Sequence, residues 1–132
     1  MAVIDRKRIE ELYARIGDAF NRGDLNAVMD FFAEDALYIE FNGTENRGKK
    51  RIRKAFEPQF RGDFGRILFH HEDVLVDEKA GKAVSRWCCT LELDGKPQEW
   101  SGLDVYVFEG ELIKEKHTYA KASVPLLKEV QI

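Results

Sequence analysis

Asp104 is the residue whose setting most suggests chemistry. It interrupts an apolar run, with Leu103, Val105 and Tyr106 around it and Gly102 two positions earlier. Burying a lone carboxylate there costs several kcal/mol unless it is paired or protonated. Two readings stand. One is an acid held neutral, able to donate a hydrogen bond inside an apolar cavity. The other is an ion pair with Arg86, Lys82 or His117 in a solvated sheet. His117 itself reads either as a base or as a core histidine beside Glu115. His70 and His71 occupy adjacent strand positions, so only one points inward, and the sequence leaves open which. Tyr13, Tyr38, Tyr106 and Tyr119 fall on expected inner faces, where packing is the ordinary role and a phenol finds a polar partner.

The elements that must carry these groups follow from periodicity. Ile9, Leu12, Tyr13, Ile16 and Phe20 recur at helical spacing from about Asp5 to Arg22. Asp5 is the expected N-cap, and Gly23 stops the helix. Asp24 caps a second helix whose apolar side is Leu25, Val28, Met29, Phe31 and Phe32. Ala36–Phe41 reads as a short strand, and Asn42–Thr44 as a turn. A basic helix from about Gly48 to Phe60 puts Ile52, Ala55 and Phe56 inward; its Lys/Arg run reads as a solvated face. Strands then span Ile67–Val76, Ala83–Leu93, Gln98–Phe108 and Leu112–Ala122. Asp94-Gly95 and Glu109-Gly110 are two-residue hairpin signals. The layout predicts an α+β fold, with three N-terminal helices laid on one face of a strongly curved antiparallel sheet.

The two tight turns set a register. Counting back from Asp94-Gly95 sets Trp100 opposite Cys89, Gly102 opposite Trp87 and Asp104 opposite Ser85. Counting from Glu109-Gly110 sets Tyr106 opposite Ile113, Asp104 opposite Glu115, Gly102 opposite His117 and Trp100 opposite Tyr119. One face then carries Trp87, Trp100, Asp104, Tyr106, Glu115, His117 and Tyr119 together. Two facing acids, Asp104 and Glu115, conflict if both ionise. The other face carries an apolar stripe of Cys88, Leu103, Val105 and Val107, fringed by Lys114 and Lys116.

The 132 residues form one expected domain, 1–132, large enough to bury roughly two-thirds of its unfolded surface. A net charge of −3 disfavours a general nucleic-acid binder. No apolar run approaches the ~20 residues of a membrane span. The start, MAVIDRKRIEE, lacks a signal-peptide apolar region, and Cys88 and Cys89 read as reduced thiols, so a cytoplasmic location is expected. No Cys/His spacing resembles a zinc site, and neither metal nor cofactor is expected.

Three stretches, AFNRGDLNAVMDFFAEDALYIEF (19–41), NRGKKRIRKAF (46–56) and WSGLDVYVFEGELIKEKHTYAKA (100–122), resemble the nuclear transport factor 2-like superfamily. The match is strongest to its SnoaL-like and ketosteroid isomerase-like branch. The resemblance implies a cystatin-like cone, a curved sheet wrapped round a deep pocket. It implies a carboxylate base at Glu40, and it sets Asp104 at the position of the isomerase's protonated acid. The isomerase's helix-borne tyrosine matches Ile16, which cannot donate a hydrogen bond; Tyr13 lies one turn earlier. A true steroid isomerase is therefore not expected. Relatives also imply a homodimer through the convex sheet face.

Two readings of function follow. The first is cofactor-free acid–base catalysis of isomerase, cyclase or dehydratase type on a small hydrophobic carbonyl-type compound. Glu40 would move the proton, Asp104 would stabilise an oxyanion, and His117 or Tyr119 would assist. The second is a non-catalytic ligand-binding or interaction module. In both, Phe20, Phe32, Trp87, Trp100 and Tyr106 line the pocket, together with Tyr13, Ile16, Tyr38, Phe56, Glu115 and Tyr119. The tail after Ala122 is apolar enough to pack across the pocket mouth or a partner.

Overall fold

The computed structural model describes residues 4–131. Helix α1 (Arg6–Asn21) starts where the Asp5 carboxylate accepts the Arg8 amide at 2.9 Å. Its face of Ile9, Leu12, Tyr13, Ile16 and Phe20 is buried. Asp24 caps the short α2 (Leu25–Asp30) in the same way, accepting from the Ala27 amide at 3.0 Å. Strand β1 (Phe32–Ile39) begins earlier than periodicity suggests, so Phe32 is a strand residue rather than a helical one. A three-residue strand β2 (Glu45–Arg47), with no signal in the sequence, returns from the turn. Helix α3 (Lys49–Phe60) buries Ile52 and Phe56.

Strands β3 (Leu68–Asp77), β4 (Lys82–Leu93), β5 (Lys96–Glu109) and β6 (Leu112–Ala120) form the expected meander. The order in the sheet is β2-β1-β6-β5-β4-β3. Every pairing is antiparallel except β1 with β6, which is parallel. The result is an α+β fold in which six curved strands and three helices enclose a hollow. Phe32, Ile9, Ile16, Ile52, Ile113 and Val28 form its driest packing.

The β4–β5 register is the one the sequence predicts. Asp94 and Gly95 both have positive φ, as a two-residue primed turn requires, and Asp104 sits opposite Ser85. The β5–β6 register differs. The turn is Gly110-Glu111, which pairs Phe108 with Ile113; moving the turn alone would leave the same residues inward. A bulge at Lys114 then adds one residue, so that Val107 faces Glu115, Tyr106 faces Lys116 and Asp104 faces Thr118. One extra residue reverses every side chain beyond it. Glu115, His117 and Tyr119 therefore leave the inner face, and Lys116 and Thr118 replace them. A second bulge, at Glu72 in β3, lies between His71 opposite Trp87 and Asp73 opposite Arg86. His71 thus points inward and His70 outward.

Candidate active site

The hollow is a cavity of about 600 Å³, within the range of small-molecule sites. Its walls are apolar: Ile16 and Phe20 from α1, Phe56 from α3, Phe69, Trp87 and Trp100 from the sheet. Exposed Phe41, Phe64 and Leu93 mark the mouth, while buried Ser85, Asp104, Tyr106 and Lys116 form the deep end. Phe32 lies in the core against Phe56 and does not line the cavity.

The deep end holds two polar clusters. In the first, the Asp104 carboxylate accepts three donors. Lys116 Nζ lies 2.8 Å and Thr118 Oγ1 2.5 Å from Oδ1, and Trp87 Nε1 lies 2.9 Å from Oδ2. The Lys116–Asp104 ion pair is buried on both sides. An ammonium and two neutral donors on one carboxylate make it an acceptor, so Asp104 is not the hydrogen-bond-donating acid of the first reading. Asp104 is ion-paired, but in a buried setting rather than a solvated one and with a cation other than the three expected. Lys116 takes the place of Arg86, which pairs outside with Asp73, and of His117. Gly102 makes room for this arrangement. A Cβ there would lie 2.4 Å from the Tyr119 carbonyl oxygen and 2.8 Å from the Trp87 ring. The space over Gly102 belongs to the Trp87 indole, not to His117.

In the second cluster the Tyr13 hydroxyl bonds both His71 Nδ1 and the buried Ser85 Oγ. Burial pushes the Tyr13 phenol up to about 12, and pushes Tyr38 and Tyr106 well above the usual tyrosine range. All three remain neutral hydroxyls at physiological pH. Burial of its ring lowers the His71 pKa, although the residue as a whole keeps solvent contact. The neutral imidazole is therefore its working form near pH 7.

Glu40 lines the cavity just past β1, beside Phe41 at the mouth. One of its oxygens accepts from Asn46 Nδ2 at 3.0 Å, and among the described residues it joins no ion pair.

Of the residues expected at the site, Tyr13, Ile16, Phe20, Tyr38, Glu40, Phe56, Trp87, Trp100, Asp104 and Tyr106 line one cavity. Glu115 and His117 instead pair with each other at 2.8 Å on the convex face, and Tyr119 is 58% exposed there. Lys116 was expected on the convex fringe and is a cavity residue, as are Thr118 and His71. Among the described residues no group of three or more His, Cys, Asp or Glu could hold a metal ion.

A curved sheet closed by helices over one apolar hollow, with its polar groups at the deep end, defines a pocket protein of the cystatin-like cone type. The SnoaL-like domain family matches residues 9–116, and the chain belongs to that family, within the nuclear transport factor 2-like superfamily. Solved structures agree on the fold. A candidate polyketide cyclase from Xanthomonas campestris pv. campestris superposes with a TM-score of 0.74 at 21% identity, covering 86% of this chain and 90% of that one. PrhC from Penicillium brasilianum gives 0.77 at 21% identity, with 88% and 82% covered. A cystatin-fold protein from Novosphingobium aromaticivorans gives 0.69 at 19% identity, with 82% and 94% covered. No curated protein matches the chain.

Proposed function

We propose that the cavity binds a small, mostly apolar carbonyl-type compound and moves protons on it with side chains alone, as an isomerase, cyclase or dehydratase does. The observation that carries this reading is the pairing of an apolar cavity of about 600 Å³ with a wall carboxylate, Glu40, that joins no ion pair among the described residues. Glu40 takes a proton from the carbon next to the carbonyl, and the electron pair moves onto the carbonyl oxygen. The proton then returns to another carbon or to water. The neutral hydroxyls of Tyr13 and Tyr38 donate hydrogen bonds, and neutral His71 can accept a proton in place of His117. The candidate polyketide cyclase among the structural neighbours supports this class of chemistry.

The test is deuterium uptake from heavy water into 2-tetralone and cyclohexane-1,3-dione, followed by NMR. The protein accelerates exchange, and Glu40→Gln slows it by roughly 10²–10⁴-fold while leaving ligand affinity in place. Unchanged exchange rates with and without protein, beside retained binding in Glu40→Gln, assign the cavity to a non-catalytic binding module instead.

The convex face supports a homodimer. Cys88, Leu103, Val105 and Val107 are only half-buried there, and Leu75 is 68% exposed beside them. A two-fold pairing of this face would cover the stripe. Free, adjacent Cys88 and Cys89 suit a reducing, cytoplasmic setting. Among the described residues no helix is long and apolar enough to cross a membrane.

A further inference from the structure

Lys116 is a cavity residue whose charge the proposed chemistry leaves unused. Its ammonium has three N–H donors. Asp104 takes one at 2.8 Å and Thr118 another at 3.0 Å. The rings of Tyr38, Tyr106 and Phe20 surround the nitrogen, with centroids 5.0, 5.6 and 5.9 Å away. These faces hold a cation in place without supplying a hydrogen-bond acceptor as strong as an anionic oxygen. The third N–H is left for whatever fills the cavity.

The pair is also polarised in one direction. Asp104 receives the Thr118 hydroxyl and the Trp87 indole N–H in addition to the ammonium. Oδ1 thus accepts twice and Oδ2 once, and of the two partners only the Lys116 ammonium has an N–H left to offer an anionic oxygen. Of the other carboxylates lining the cavity, Glu40 follows Tyr38 by two residues and exposed Glu99 accepts from Cys88 Sγ; neither is ion-paired with Lys116.

We propose that Lys116 receives the ligand's oxygen. An enolisable carbonyl compound enters oxygen-first, its apolar body against Phe56, Trp87 and Trp100, and the Lys116 ammonium carries the negative charge that develops on that oxygen. Asp104 and Thr118 hold the ammonium in position. This assignment rests on the proposed function above and names the group that binds the reacting oxygen. It replaces a neutral acid with a fixed cation, which stabilises an oxyanion without having to transfer a proton.

The experiment compares two probes of nearly equal shape, 4-nitrophenolate and 4-nitrotoluene, in calorimetric titrations at a pH where the phenol is fully ionised. The variants are Lys116→Met and the double Lys116→Met/Asp104→Leu. The double removes both charges, so no carboxylate is left stranded. The wild-type protein binds 4-nitrophenolate, and its phenolate-to-toluene affinity ratio exceeds that of the double variant by roughly 10- to 100-fold. 4-Nitrotoluene binds both proteins alike. An equal ratio in the two proteins overturns the Lys116 assignment while the pocket reading stands. Failure of wild type to bind either probe overturns both.

Discussion

A partly desolvated histidine makes its surroundings sensitive to acid in a direction that can be worked out. In the folded chain burial holds the His71 pKa below its ordinary 6.5, with Asp104 and Asp18 pulling more weakly the other way. As pH falls, the unfolded chain takes up this proton first. Stability from His71 is thus complete above 6.5 and is lost as pH drops through the lowered value. His71→Asn keeps a hydrogen-bonding partner for Tyr13 but does not titrate. Between about pH 7 and about pH 5, thermal melts of wild type fall more steeply than those of His71→Asn. Equal slopes would remove His71 from the pH response. At this scale the sequence was informative about place and not about role. An acid in an apolar run marks Asp104 as a cavity residue, but which cation reaches it depends on a neighbouring strand. A lysine between Glu115 and His117 carries no local sign of burial.

One inserted residue in β6 determines what the cavity contains. Ile113 and Lys116 both face inward, three positions apart, and only the bulge at Lys114 allows that. Periodicity and turn chemistry cannot show a bulge, since Lys114 looks like any strand residue. The conflict was nonetheless visible. The unbulged register set Asp104 against Glu115, a like-charge pairing that a one-residue shift removes. The Asp94-Gly95 hairpin, by contrast, was fully legible, because its two positive φ angles demand the residues found there. Strand β2 and the early start of β1 were not, being fixed by pairing with distant partners. The close packing on Gly102 gives a direct check. Gly102→Ala drives a methyl into the Tyr119 carbonyl and the Trp87 ring, and urea unfolding is expected to show a loss of ~1–3 kcal/mol. A change near zero would mean that the sheet yields there at little cost.

For the molecule as a whole, the order of helices and strands was enough to identify the fold, because the sequence of elements is a coarser property than register. What lies outside one chain is less legible. The described tail, 123–131, is open to solvent, with Val124, Leu127 and Val130 all more than 70% exposed. The convex stripe gives a concrete expectation. Light scattering at micromolar concentration reads a dimer, and Val105→Glu reads a monomer whose cavity still binds 4-nitrotoluene. A wild-type monomer would refute the pairing.

The chain has two tryptophans, and both line the cavity, their ring centroids 5.9 Å apart at 73°. Trp87 is tied to the Asp104 carboxylate and Trp100 to the Lys121 carbonyl at 2.8 Å. All of the indole emission therefore originates beside the binding space, with no distant fluorophore to dilute it. Two indoles this close also couple as excited states. Any guest that enters changes the intrinsic fluorescence and the near-ultraviolet dichroism together, so unlabelled protein in a cuvette can be screened against a compound library.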